Sequence, residues 1–211
     1  MIQKTWIRWL ASVGIILILA GVMNSAGSVD AAGASGASKF NYISMPIDAS
    51  ATITPFKASG LAAHMGSGVQ QVLLWDPTTQ QFRTWTPAFP FDDFDLAVGG
   101  AYFVLLDASA SSSLSLVGTV PDPGTVSFAL QTPTGTGCRF NSISLPLDQG
   151  AVTKASELAA ALGGVDQALS WDVATQQFRT WTPSFTFDDF STAIGYPYFV
   201  CLNSSASTSW P

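Results

Sequence analysis

The side chains of this chain best suited to chemistry are two acidic pairs and two tryptophan–arginine pairs, each present twice. Asp92 and Asp93 are adjacent in a Phe-bounded loop, as are Asp188 and Asp189. Carboxylates in that arrangement supply hard oxygen ligands, so Asp92, Asp93, Asp188 and Asp189 are candidate calcium ligands, and calcium is the one cofactor considered. They could also act as a glycosidase acid pair, but adjacent residues usually point apart and that reaction needs two carboxyls at a set separation across a sugar. The bland alternative is that one Asp caps or turns the loop while the other pairs with Arg83 or Arg179. Trp85 lies two residues from Arg83, and Trp181 two from Arg179. An exposed indole beside a guanidinium makes a flat platform for a sugar ring or a partner side chain, which marks Trp85, Arg83, Trp181 and Arg179 as candidate ligand-binding residues. Against this, bulky aromatics in small β-domains usually build the core. Phe82 and Trp85 have opposite parity on one strand, so one of the two in each copy is expected on the outside unless the strand bulges.

Other chemistry has little support. His64 is the sole histidine, and its counterpart in the second half is Ala161. A His pair, a Cys/His cluster, a Gly-x-Ser-x-Gly elbow and a phosphate-cradling glycine loop are all missing from the sequence, so no catalytic residue is assigned and no enzyme is expected. Cys138 and Cys201 are the two cysteines. In an exported chain they either form a disulfide or remain two buried thiols, and the order of strands would decide between these.

These groups sit in a duplicated frame. Residues 79–94 (TQQFRTWTPAFPFDDF) recur as 175–190 (TQQFRTWTPSFTFDDF), with 14 of 16 positions identical. FNYISMPID at 40–48 recurs as FNSISLPLD at 140–148, KASGLAA at 57–63 as KASELAA at 154–160, and AYFVLLD at 101–107 as PYFVCLN at 197–203. The spacing of 96 to 100 residues far exceeds that of stacked solenoid repeats and suits two small domains. Each copy predicts the same order: a strand (Phe40–Ile47, Arg139–Leu147), a short Ala/Leu helix capped by Thr54 or Ser59 and by Ser156, a hairpin turning at Asp76–Thr79, a Pro/Phe-rich loop, and an apolar strand (Ala101–Leu106, Pro197–Leu202). Copy one adds a predicted strand at Ser113–Val120, and Thr125–Gln131 is a predicted strand leading into copy two. The fold class is mainly β: two tandem small β-sandwich or open-barrel domains, each with one short helix, at 40–122 and 123–211.

Lys4 and Arg8 precede the apolar run from Leu10 to Met23, and small residues follow. Residues 1–31 therefore read as a secretory signal peptide, with 32–39 as a flexible leader and a secreted or cell-surface location. The run is too short for a comfortable membrane span, so none is expected after cleavage. The remaining chain has six Lys and Arg against thirteen Asp and Glu, a net charge of −7. Without a basic patch, nucleic acid is an unsuitable partner.

Asn-x-Ile-Ser-x-Pro (Asn41–Pro46, Asn141–Pro146), then Trp-Asp-x5-Phe-x-x-Trp, then Gly-x-x-Tyr-Phe-Val occur twice in one order. This order resembles a module widespread in secreted bacterial and archaeal proteins, including surface-layer proteins, adhesins and exported hydrolases. The resemblance implies an appendage without catalytic residues of its own. The expected function is a non-enzymatic secreted or cell-surface structural or interaction protein that meets an extracellular protein or a cell-surface glycan. The alternative is a pair of carbohydrate-binding modules using exposed aromatics and gaining avidity from duplication. A further expectation is oligomerisation by strand addition at an edge of copy two, unless Thr125–Gln131 occupies that place.

Overall fold

A computed structural model describes residues 38–108, 114–185 and 188–211. The expected signal peptide and nearly all of the leader lie outside the described residues. The chain is mainly β. Repeat one forms β1 (Lys39–Ser44), α1 (Ala58–Met65), β2 (Val69–Asp76), β3 (Gln81–Trp85) and β4 (Ala101–Leu106). A two-residue strand β5 (Phe128–Ala129) follows. Repeat two forms β6 (Arg139–Ser144), α2 (Ala155–Leu162), β7 (Val165–Asp172), β8 (Gln177–Trp181) and β9 (Pro197–Leu202), and the chain closes with β10 (Ser209–Trp210). Each repeat contributes one antiparallel four-stranded sheet, ordered β1-β4-β2-β3 and β6-β9-β7-β8, while β5 pairs with β10. The predicted apolar strands at 101–106 and 197–202 are the central β4 and β9. Ser113–Val120 does not form a strand among its described residues; it keeps only a bridge between Thr119 and Asp48.

Each sheet is covered on both faces, which is why β4 and β9 are buried along nearly their whole length. The outer face packs under the repeat's own helix. In repeat one Val72, Trp85, Tyr102 and Val104 meet Ala58 and Leu61, and in repeat two Ala168, Trp181, Tyr198 and Val200 meet Leu158 and Leu162. The inner faces pack against each other. Phe103 meets Trp171 with ring centroids 5.2 Å apart, and Phe199 meets Trp75 at 5.5 Å. Phe82 and Phe178 reach the same seam. The two layers of the sandwich are thus one sheet from each repeat, and the layering expected within each copy arises between the copies.

The seam is closed by a reciprocal set of hydrogen bonds. In the β2–β3 hairpin the Asp76 carboxylate accepts from the N–H of Thr78 and Thr79, and the Gln80 N–H donates to Asp76 O at 2.8 Å. This winds Gln80 into the left-handed region at φ 59°, costly for a side chain with a Cβ. There its carboxamide reads the edge strand of the other repeat: Phe140 N–H donates to Gln80 Oε1 at 2.9 Å, and Gln80 Nε2 donates to Phe140 O at 2.9 Å. Trp75 Nε1 donates to the same carbonyl at 2.9 Å. The second hairpin repeats the arrangement, with Gln176 at φ 57° and with Gln176 and Trp171 holding Phe40 at 2.8–3.1 Å. Further in, Ser44 donates to Gly195 O, and Ser144 donates to Gly99 O at 2.7 Å.

One matched position breaks the symmetry for a steric reason. Tyr42 and Ser142 face each other across the seam, their hydroxyls 2.5 Å apart. Beside that pair Tyr42 stacks on Phe103 and Phe199, at 4.2 and 5.4 Å. A second phenol at 142 would overfill the space, and a second hydroxymethyl at 42 would leave a void. Burial pushes the Tyr42 phenol well above its ordinary pKa, so it stays neutral.

The cysteines form a disulfide, Cys138–Cys201, with Cα atoms 5.3 Å apart, tying the entry to β6 onto its neighbour β9. Replacing either lock residue, Gln80→Ala or Gln176→Ala, leaves a main-chain N–H of the opposite repeat without its acceptor. We expect each to cost about 1–3 kcal/mol, read as a lower urea midpoint, and an unchanged midpoint would remove the lock from the account.

Candidate functional site

The expected site residues gather on the outer face of each sheet, beside the helix N-terminus. Arg83 and Trp85 project from β3 towards the helix side, opposite to Phe82. Trp85 and Trp181 are both only 6% exposed and belong to the helix-side cores. This corrects the expectation of a surface platform. Opposite parity places Phe82 and Trp85 on different faces, and because a second layer covers each face neither ring lies open. Trp75 and Trp171 point the other way and donate across the seam, whereas the N–H groups of Trp85 and Trp181 find no acceptor among the described residues. Trp85 and Trp181 therefore act as packing.

The arginines are half-exposed but engaged. Arg83 forms a two-pronged ion pair with Asp92, its Nε donating at 3.2 Å, and its guanidinium lies over the Phe94 ring at 5.4 Å. Arg179 pairs with Asp188 and lies over Phe190 at 5.7 Å. The second Asp of each pair caps a helix from a distance. Asp93 accepts from the Ser59 N–H and Oγ, both at 2.8 Å, while Ala58 N–H donates to Phe94 O at 3.0 Å. Asp189 does the same for Ser156, at 2.9 and 2.8 Å, and Ala155 N–H donates to Phe190 O. Ser59 and Ser156 thus stand inside the helices as donors; they are not the caps the sequence predicted, and Lys57 and Lys154 occupy the cap positions without a capping bond from their side chains. Negative charge at a helix N-terminus is favoured by the unpaired amides and the dipole.

The four aspartates expected as calcium ligands have the protein partners just described. All four carboxylates are turned onto protein donors, and among the described residues no group of three or more His, Cys, Asp and Glu side chains could hold a metal ion. His64 is exposed, with Nε2 2.9 Å from Ser115 O. Of the expected site residues, the structure brings Arg83 to Asp92, Asp93 to the helix start, and their counterparts likewise; it does not bring Trp85 or Trp181 to a surface.

What the acidic and arginine residues do is hold a loop. Between Trp85 and Asp92 the chain runs Thr86-Pro87-Ala88-Phe89-Pro90-Phe91, pinned at its base by the ion pair and at its turn by Phe89 N–H donating to Thr86 O and Oγ1. Phe89 is 69% exposed and Phe91 92% exposed. Phe185, which matches Phe89, is 46% exposed; Phe187 lies outside the described residues. These phenylalanines were not singled out from sequence as ligand contacts. The available signal was their identity in both copies while the residues preceding them changed from Ala88 and Pro90 to Ser184 and Thr186.

Comparison with protein-family models, with curated proteins and with solved structures found no match. No helix among the described residues is long and apolar enough to cross a membrane.

The cap carries a pH dependence. The Ser156 N–H, with Ser156 Oγ, holds the Asp189 carboxyl below the usual carboxylate range, against a small burial penalty. A depressed folded value contributes stability above the unfolded value of about 3.9 and loses it as pH falls through the folded one. Stability should therefore fall on acidification below about pH 4, and Asp189→Asn should make that fall shallower in urea titrations at successive pH values. An identical acid profile for the variant would contradict the cap assignment.

Proposed function

We propose that the chain is a non-enzymatic, exported structural and interaction protein of the cell surface, whose rigid sandwich presents a phenylalanine-bearing loop from each repeat to an extracellular protein. The observation that carries this is the exposure of Phe89 and Phe91 on a pinned loop. Burial cannot account for phenylalanine at 91, because Phe91 is almost wholly in solvent. An exposed aromatic on a preorganised stem loses little entropy on docking, and such residues are common energetic anchors of interfaces. The sequence pattern that resembles surface-layer and adhesin modules points the same way. A glycan-binding reading rested on Trp85 and Trp181, and their place in the cores leaves it without a platform.

The test is retention of fluorescently labelled protein on the envelope of the cell that exports it. A Phe89→Ser, Phe91→Ser, Phe185→Ser variant should keep its unfolding free energy within about 0.5 kcal/mol for each exposed change. Its retention should drop at least about tenfold, the loss expected from removing one anchor. Equal retention of the variant and the parent, or no retention of the parent, would overturn the proposal.

A further inference from the structure

The edge strands of the two sheets are treated in two ways. β1 and β6 have their outer main chain taken at Phe40 and Phe140 by Gln176 and Gln80 of the opposite repeat. β3 lies at the other edge of its sheet, and among the described residues its one strand neighbour is β2. Gln81, Arg83 and Thr84 stand in solvent along it. Natural sheets blunt such an edge with proline, a bulge or an inward-pointing charge. β3 (QFRTW) has no proline and keeps an unbroken register on β2, from Asp76–Gln81 to Val72–Trp85. The place on copy two where strand addition was expected is taken by the chain's own β5, which pairs with β10.

Two groups beside this edge are suited to a partner. The Arg83 side chain is 46% exposed. Asp92 accepts from its Nε and Nη2, and a guanidinium carries further N–H donors in the same plane. One face of that plane lies over the Phe94 ring, so its N–H rim is what a second carboxylate meets. The chain leaves β3 through Thr86, which bridges to Phe89, and returns to Asp92 by way of Phe91. Phe91 is therefore the sequence neighbour of the residue that holds Arg83. The ion pair fixes a half-exposed cation and an exposed aromatic at the end of one open strand.

Charge decides against a second copy as the occupant. β3 and β8 have the same sequence, so any pairing between copies that aligns all the residues of these strands sets arginine opposite arginine. A carboxylate opposite Arg83 removes that conflict. The chain is net acidic, so a run of acids is repelled at long range, whereas one acid between apolar residues is not. We infer that β3 accepts an extended segment of the extracellular partner as an added strand, with an Asp or Glu of that segment opposite Arg83 and a large apolar residue against Phe91. Main-chain pairing supplies the affinity, and the side chains meeting Arg83 and Phe91 supply the choice. This rests on the reading of Phe89 and Phe91 as partner contacts and names the chemistry of what they meet.

The probe is a displayed library of random linear peptides, selected on the full chain. Enriched peptides should carry one Asp or Glu beside apolar residues, and a blocked synthetic copy should slow amide exchange along β3. Changing that acid to its amide should weaken binding at least about tenfold, the effect of losing a hydrogen bond between charged groups. Exchanging the ion pair, Arg83→Asp with Asp92→Arg, keeps the loop fastened but sets a carboxylate on the strand. That variant should reject the same peptide and accept its Lys counterpart. No enrichment, enrichment without an acid, or protection that falls outside β3 overturns the inference. So does protection of β3 by a second copy as concentration rises, or by polygalacturonate, a carboxylated glycan. If any of these occurs while the envelope still holds the parent and releases the phenylalanine variant, the loops remain contacts and the strand site alone fails.

Discussion

The structure depends on a side-chain amide reading the backbone of the opposite repeat. Gln80 and Gln176 each take both the N–H and the C=O of an edge-strand phenylalanine, as a neighbouring strand would. An edge strand otherwise exposes a row of unpaired groups, and here the amide blunts that edge at the point where the second sheet must be fixed. The interaction requires a left-handed Gln, and the Asp76 and Asp172 turns impose it. Hydrophobic burial between the inner faces supplies non-directional attraction. The amides add the direction, setting which strand end meets which hairpin.

From that constraint the roles of the repeated motifs follow. Trp and Gln of Trp-Asp-x3-Gln form the lock, with Asp as its winding device. Ser of Ile-Ser-x-Pro bonds across the seam, while the Ile faces the helix-side core. The Tyr102 and Tyr198 hydroxyls accept from the loop amides of Ala97 and Ala193, and burial pushes Tyr102 up to about 12. Arg and the acidic pair fasten the loop and cap the helix. Duplication keeps these positions because each copy is needed to hold the other. Tyr42 and Ser142, which lie across from each other, differ, whereas the facing counterparts Phe103 and Phe199 stay identical and stack at 6.2 Å.

Much of the frame was legible because period and turn chemistry are local. Alternation gave the strands, the Asp-led turns gave the hairpins, and the repeat gave two equivalent halves. The layering was not legible, because no local signal says whether a two-faced strand is covered by its own repeat or by the other. That gap explains Trp85 and Trp181: parity correctly placed Phe82 and Trp85 on opposite faces, but only the second sheet shows that both faces are covered. The Asp pairs were named as candidate calcium ligands, and the alternative reading, a loop fastener paired with Arg83 or Arg179, had the partner seen for one residue of each pair. The helix-capping reach of Asp93 to Ser59 spans 34 residues and leaves no mark in sequence. The Cys138–Cys201 bridge depended on β6 lying beside β9, which sequence leaves open.

If the lock and the aromatic seam make one body of two repeats, neither sheet can lose its partner and remain stable. Differential scanning calorimetry of the disulfide-bonded chain tests this directly. The account predicts a single transition whose calorimetric and van't Hoff enthalpies agree. Two resolved transitions, each carrying roughly half the enthalpy, would show that the repeats unfold as independent domains and would contradict it.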